Sequence, residues 1–295
     1  MEQLENYWFA DVTKQKTLKY PLWCLGVGLH SEEQVKVQLN PAEENTGIIF
    51  QIMNDQNNVV AHIPAKITNL TDSNLRTVLS SNKFSISTTE HLLAAASAYG
   101  ISNMLIQVWG SELPIFDGSA AIWTFLLDCA GVQDQTSLLK SIRVVREVIV
   151  RNGLSWCKLS PGIGLQVDYC LNYDHPSVGE QYFSTYVDKN MFTLHLSRAR
   201  TFGFIKDLDY VRSQGLAKGA DLSNTLVFDA TKLLNQNQLI WPNELARHKI
   251  VDAIGDLALA GSPIQGIFRG NQSGHALNHR LVRELLSDTA NWTWS

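Results

Sequence analysis

Phe84-Ser85-Ile86-Ser87-Thr88-Thr89-Glu90-His91-Leu92-Leu93-Ala94-Ala95-Ala96-Ser97-Ala98-Tyr99-Gly100, followed by Met104-Leu105-Ile106-Gln107-Val108-Trp109, decides the fold class. Phe84–Ser87 reads as a strand, Thr89–Tyr99 as a helix stopped by Gly100, and Met104–Trp109 as a buried strand. Downstream, Pro114 to Ser119 reads as a loop and Ala120–Ala130 as a second helix, stopped by Gly131. Upstream, residues 16–50 read as a β-rich opening. In it Lys16–Tyr20 leads to Pro21, Val35–Leu39 alternates with period two, and Gly26–Ser31 is a glycine-bounded turn. The polar stretch Val132–Ser137 has no periodic pattern, so a domain boundary is expected there, between 1–135 and 138–295. Strands then restart at Ile142–Val150, Trp156–Leu159 and Leu165–Leu171. A long helix fits Asn243–Ala260, between Pro242 and Gly261, before a strand at Gly266–Phe268 and a last helix at Ala276–Ser287. Both halves read strands, helix, strand, helix. The expected class is α+β, two domains of similar topology, each a β-sheet packed on two helices. No residue-level repeat links the halves.

A chain of 295 residues is long enough for two cores. Its 24 basic and 28 acidic residues give a net charge of −4, with no basic run. That balance argues against nucleic acid as a partner. The cysteines, Cys24, Cys129, Cys157 and Cys170, form no C-x-x-C pair. Free, mostly buried thiols in a reducing compartment are expected. Met1-Glu2-Gln3-Leu4-Glu5-Asn6 is acidic where a signal peptide would be basic, and no stretch approaches the ~20 apolar residues of a membrane span. The expectation is a cytoplasmic monomer.

The strongest chemical signal is Arg247-His248-Lys249-Ile250-Val251-Asp252-Ala253-Ile254-Gly255-Asp256. Steps of four residues drift only ~40° around a helix, so His248, Asp252 and Asp256 share one stripe on an otherwise apolar helix. A His and a carboxylate at i, i+4 can both reach one tetrahedral Zn²⁺. A solvated His–Asp contact would show the same spacing. His275 and His279, in Ser273-Gly274-His275-Ala276-Leu277-Asn278-His279, form a rival i, i+4 pair without a carboxylate nearby in sequence. In Ser87-Thr88-Thr89-Glu90-His91, Glu90 fits a capping box with Ser87, and Thr88 fits an N-cap. The same Glu90 fits a general base beside a third metal ligand, His91. Arg198-Ala199-Arg200-Thr201-Phe202-Gly203-Phe204 suits either a loop holding an amphiphilic ligand or a strand end with surface arginines. Asp117 or Ser119 suits a helix cap.

Seven ordered blocks bear a wider resemblance: Gly26 to Ser31, Ser87 to Leu92, Pro114 to Ala120, Ala199 to Phe204, Arg212 to Leu216, Arg247 to Leu257 and Ser273 to Asn278. Together they resemble the hallmark segments of the UDP-3-O-acyl-N-acetylglucosamine deacetylases of lipid A biosynthesis. The resemblance implies an active site between two α+β domains. It implies Zn²⁺, with Fe²⁺ suited to the same ligands, on His91, His248 and Asp252. It makes Glu90 the general base, His275 the cationic group for the oxyanion or leaving amine, and Asp256 the partner that orients His275. Thr201 resembles a hydroxyl assisting the tetrahedral intermediate, and Lys249 a contact to the substrate's diphosphate. An insert within 195–225 should shape an apolar passage for the acyl chain of a UDP-amino-sugar substrate. Two other readings fit the same residues: a related amidohydrolase acting on another acylated sugar, or a non-catalytic binding relative.

The chain departs from the family pattern at four places. Glu32 stands where glycine usually follows the Gly-Leu-His-Ser block, and Thr89 replaces a usual valine. Arg76 replaces a usual cysteine, and His279 a usual asparagine. No fused dehydratase domain is expected.

Overall fold

The structure is a computed structural model that describes residues 13–72, 74–236 and 238–295. The acidic Met1–Asn6 segment lies outside the described residues. The first half contains β1 (Lys14–Leu18), β2 (Leu22–Val27), β3 (Gln34–Pro41), β4 (Ile48–Met53) and β5 (Val59–Pro64). Three short strands follow, β6 (Leu70–Asp72), β7 (Val78–Ser81) and β8 (Phe84–Ser87). Then come α1 (Glu90–Ala98), β9 (Met104–Trp109), α2 (Ala121–Ala130) and β10 (Val132–Leu138). The second half begins with β11 (Ile142–Val144), β12 (Val148–Asn152), β13 (Ser155–Ser160), β14 (Leu165–Tyr173) and β15 (Gly179–Tyr186). It continues with α3 (Lys189–His195), β16 (Phe202–Phe204), α4 (Ile205–Ser213) and β17 (Leu226–Phe228). It closes with α5 (Glu244–Ala258), β18 (Ile264–Asn271), α6 (His275–Ser287) and β19 (Trp292–Trp294).

The expected α+β class holds, and the similarity of the halves is visible strand by strand. One sheet runs β2-β3-β9-β4-β5. In it β9 is antiparallel to β3 and parallel to β4. The other contains the path β12-β13-β18-β14-β15, where β18 is antiparallel to β13 and parallel to β14. Order and sense match at every step. In both halves a helix precedes the central strand and another follows it, α1 and α2 around β9, α5 and α6 around β18. Both halves also carry an excursion at the same topological place, just before that first helix: β6–β8 in one, α3 to β17 in the other. The second excursion fills the interval between Tyr186 and Glu244, wider than the 195–225 expected from sequence.

Period-two burial explains the sheets. Val35, Val37 and Leu39 on β3, and Met104, Ile106 and Val108 on β9, point into one continuous core. α1 is buried nearly all round, and its small Ala94, Ala95 and Ala96 let it lie directly against α5. Gly255 makes the closest approach, since a Cβ there would fall 2.1 Å from the Glu90 carbonyl oxygen. Only a glycine lets the two backbones meet, and the meeting places Asp252 and Asp256 beside Glu90 and His91.

Three sequence expectations change. The polar stretch after Gly131 is not irregular: it is β10, paired antiparallel with β1. Because it joins only a two-stranded ribbon, it needs no apolar face and shows no pattern. Ile142–Val150 is two strands, interrupted at 145–147. Of the four free cysteines only Cys157 is buried, while Cys129 is exposed. No helix among the described residues is long and apolar enough to cross a membrane.

Candidate metal and acid–base centre

α5 carries the stripe read from sequence. His248, Asp252 and Asp256 are all buried on it, among Ile250, Val251, Ala253, Ile254 and Leu257. α1 begins opposite them and brings Glu90 and His91, both also buried. The His248 and His91 Nε2 atoms lie 3.4 and 3.6 Å from the same carboxylate oxygen, Oδ1 of Asp252. Their rings meet edge to face with centroids 5.1 Å apart. Ligand atoms of His91, His248 and Asp252 all fall within 4.8 Å of one another, a grouping that could hold a metal ion. His248 Nδ1 is 3.0 Å from the Ala199 carbonyl oxygen and donates to it, which leaves Nε2 with a lone pair facing the cluster. Burial holds the His248 pKa down to about 3, against the pull of Asp252. A neutral imidazole is the form that ligates. Lys249 Nζ donates to the other oxygen of Asp252, Oδ2, at 2.9 Å. That contact leaves Oδ1 for the histidines.

His275, at the first position of α6, completes the arrangement. Its Nδ1 lies 2.8 Å from Asp256 Oδ2, and its Nε2 lies 3.9 Å from both Glu90 Oε1 and Asp252 Oδ2. Burial opposes the imidazolium most, but the Asp256, Asp252 and Glu90 carboxylates together outweigh it and push His275 up to about 9. Burial raises Glu90, against the pull of His275 and His91. Two groups, both shifted upward but for different reasons, thus face one small space: burial raises Glu90, and neighbouring carboxylates raise His275.

The rival pair meets a carboxylate that is distant in sequence, Asp256, the partner that the family resemblance gives His275. His275 and His279 both reach Asp256, 19 and 23 residues upstream, each at 2.8 Å. Asp256 also accepts from Thr77 Oγ1 at 2.7 Å and Asn278 Nδ2 at 2.9 Å. These three ionisable residues are close enough to hold a metal ion as well. Asp256 is already surrounded by four hydrogen-bonding groups, so its lone pairs are committed.

The capping-box reading of Glu90 fails. Glu90 Oε2 accepts the Thr77 backbone N–H at 3.2 Å, Ser87 Oγ donates to the Ser111 carbonyl, and no side chain caps α1 at Thr89. Thr88 has φ 58°, a left-handed backbone rare for a β-branched residue. Glu32, at the family's usual glycine position, also has a left-handed φ of 62°. Thr89 Oγ1 is buried without a partner, so its hydroxyl adds no hydrogen bond over the family's usual valine.

These groups open onto a cleft of about 580 Å³. Phe202, Phe204, Ile205, Leu208 and Val211, from β16 and α4, line it, and Thr201 lies beside them. Arg76 does not line it, although its charge acts on His30, which does. Of the two arginines read as surface groups, Arg200 pairs with the fully buried Glu244 at 2.8 Å. Ser119 Oγ accepts the Ala121 N–H at 3.1 Å while donating to Asp117, so the Asp117–Ser119 pair braces the start of α2. Thr77 and Glu112 were missed. Thr77 sits in a stretch with no helical or strand signature, and the only hint of Glu112 was a lone charge just before Leu113-Pro114-Ile115.

A family model described as UDP-3-O-acyl N-acetylglycosamine deacetylase matches residues 15–287. The chain is 40% identical over 279 residues to the UDP-3-O-acyl-N-acetylglucosamine deacetylase of a Nitratiruptor species, covering 95% of this chain and 92% of that one. It is 41% identical to the enzyme of the same name from Stenotrophomonas maltophilia, with 95% and 93% covered. With that from Haemophilus influenzae it shares 42%, with 95% and 92% covered. Fold, site and near-complete coverage agree, and the chain belongs to the UDP-3-O-acyl N-acetylglycosamine deacetylase family.

Proposed function

We propose that this cleft hydrolyses the N-acetyl amide of UDP-3-O-acyl-N-acetylglucosamine, the deacetylation step of lipid A biosynthesis, with Zn²⁺ held by His91, His248 and Asp252. The observation that carries the reading is the convergence of two imidazole Nε2 atoms on one oxygen of Asp252, with Glu90 and His275 facing the same space. A Zn²⁺ ion there supplies Lewis acidity, polarising the amide carbonyl and acidifying a water. Glu90 takes the proton of the attacking water on Oε1, because Oε2 is tied to Thr77. His275 presents Nε2–H to the oxyanion and then protonates the departing nitrogen. Asp256 fixes that tautomer through Nδ1 and stabilises the imidazolium. The Thr201 hydroxyl assists the tetrahedral intermediate. Lys249, which has donors beyond the one on Asp252, binds the diphosphate. The products are acetate and the free 2-amino sugar nucleotide. The chain divides into an N-terminal domain, 1–135, and a C-terminal domain, 138–295, with the site between them. It acts as a cytoplasmic monomer.

The apolar wall from Phe202 to Val211 is the surface for the 3-O-acyl chain. Acetate release should therefore depend on that chain. Removing it from the substrate should lower kcat/KM by about 10²-fold or more, since each buried methylene is worth about 0.8 kcal/mol. Comparing the acylated and 3-hydroxy nucleotide sugars tests this, and equal kcat/KM for the two would contradict it.

The acid limb and the base limb should separate by pH. Below its pKa His275 carries its proton, and activity is lost as pH rises through that value. Asp256 is the foremost of the carboxylates, with Asp252 and Glu90, that raise it to about 9. Asp256→Asn should move the basic limb of kcat/KM to lower pH while metal content stays unchanged. A basic limb at the wild-type pH in that variant would show that another group carries the proton.

A further inference from the structure

Glu112 belongs to no helix or strand, and it is 3% exposed. It lies on an extended segment threaded between two loops, bridging to Ser87 through its own backbone while Pro114 bridges to Gly28. Its carboxylate is directed inward and fully engaged. Oε1 accepts the His30 N–H at 2.9 Å and the Thr88 hydroxyl at 2.9 Å, and Oε2 accepts the Ser31 N–H at 2.8 Å. A carboxylate bound by two backbone amides and a hydroxyl is held ionised against burial. Gly28 leaves room for it, since a Cβ there would fall 2.4 Å from Glu112 Oε2.

The two loops it joins are both loops of the site. Thr88, with its left-handed φ of 58°, stands two residues before Glu90 and three before His91. Such a conformation is strained in a non-glycine residue and persists only where its surroundings hold it. The Glu112 carboxylate is the partner that the Thr88 side chain finds. On the other side, the loop of Gly28 to Ser31 supports a cleft wall contributed by the second half. His30 Nδ1 accepts the Ala217 N–H at 3.2 Å, and the Gly219 N–H donates to the Leu29 carbonyl at 3.0 Å. Ala217 and Ala220 line the cleft.

We propose that Glu112 is a positioning residue of this deacetylase: it holds Thr88 in the left-handed turn that aims Glu90 and His91, and it holds the loop on which the facing wall of the cleft rests. This rests on the reading of Glu90 as the base. Glu112 touches neither the substrate nor the reacting atoms, and its effect passes through the backbone. Displacing a reacting group by about 1 Å can cost about 10²-fold in rate. A tether of this kind therefore acts on kcat.

The test compares Glu112→Gln, Thr88→Val, Thr88→Ser, the double variant Glu112→Gln/Thr88→Val, and Glu90→Gln as a control. For each, kcat, KM and bound metal are measured on the full chain. A glutamine in place of Glu112 would offer an N–H₂ group where two amides and a hydroxyl need acceptors. Glu112→Gln and Thr88→Val should each lower kcat about 10-fold to 10²-fold, with KM changing less and metal retained. Thr88→Ser, which keeps the hydroxyl, should stay near wild type. The double variant should fall no further than the worse single one, because both changes cut the same tether. If Glu112→Gln does not fold, the contrast between Thr88→Ser and Thr88→Val decides alone. Unchanged kcat in Thr88→Val, or losses that multiply in the double variant, would overturn the proposal. In either case an inactive Glu90→Gln leaves the role of Glu90 standing. A fully active Glu90→Gln would instead remove the base from under both readings.

Discussion

Replacing Glu90 by glutamine should leave a folded, metal-loaded protein whose turnover has fallen about 10²-fold to 10⁴-fold. The size follows from what is removed. Glutamine keeps the shape and can still accept the Thr77 N–H, now through its amide oxygen. It cannot accept a proton. Stability should change little, because Glu90 does not cap α1 and leaves no ion pair shorter than the 3.9 Å approach to His275. Burial already opposes the charge on Glu90, so a neutral group there relieves desolvation. Melting temperature and kcat measured on one preparation separate the two effects. A variant that melts far lower yet turns over normally would make Glu90 a structural residue.

Much of the fold was legible because its central pieces obey simple periodicities. β8, α1 and β9 follow one another as a short strand, a helix closed by glycine and an apolar run, and their limits differ from the expected ones by a residue or less at each end. α5 was equally plain, bracketed by Pro242 and Gly261. The segments that escaped are those whose partners lie far away. β10 is polar because it pairs only with β1, and the excursion between β15 and α5 has an α4 with no buried residue to pattern it. The repeat of sheet order is a property of pairing, not of residues, so no residue-level similarity exposed it.

The site divides in the same way. His248, Asp252 and Asp256 were readable as one face of α5, since four residues make little more than one turn. Spacing did not say what that stripe meets; only the family resemblance implied it. Asp252 turns toward His91 from α1, whereas Asp256, one turn on, turns toward His275 and His279 from α6. Spacing alone left the two histidine pairs equivalent. In three dimensions the pairs differ: Asp256 accepts from four groups, whereas Asp252 accepts from Lys249 on one oxygen and faces two imidazole Nε2 atoms with the other. The capping box around Ser87 was a sound local inference that tertiary contacts overrode: Glu90 found the Thr77 amide and Thr88 found Glu112.

Metal content of His248→Ala, set beside that of His279→Ala, tests the account most directly. His248 supplies one of three converging ligand atoms and is oriented for it by the Ala199 carbonyl. Two remaining protein ligands do not make a catalytic zinc site, which takes three. His279 instead packs against Asp256, away from the His91–Asp252 pair. Dialysed wild-type protein should hold one divalent ion per chain, His248→Ala should hold almost none and release no acetate, and His279→Ala should hold one. Retention of the ion by His248→Ala together with its loss from His279→Ala would contradict the account, because it would place the metal at Asp256, His275 and His279.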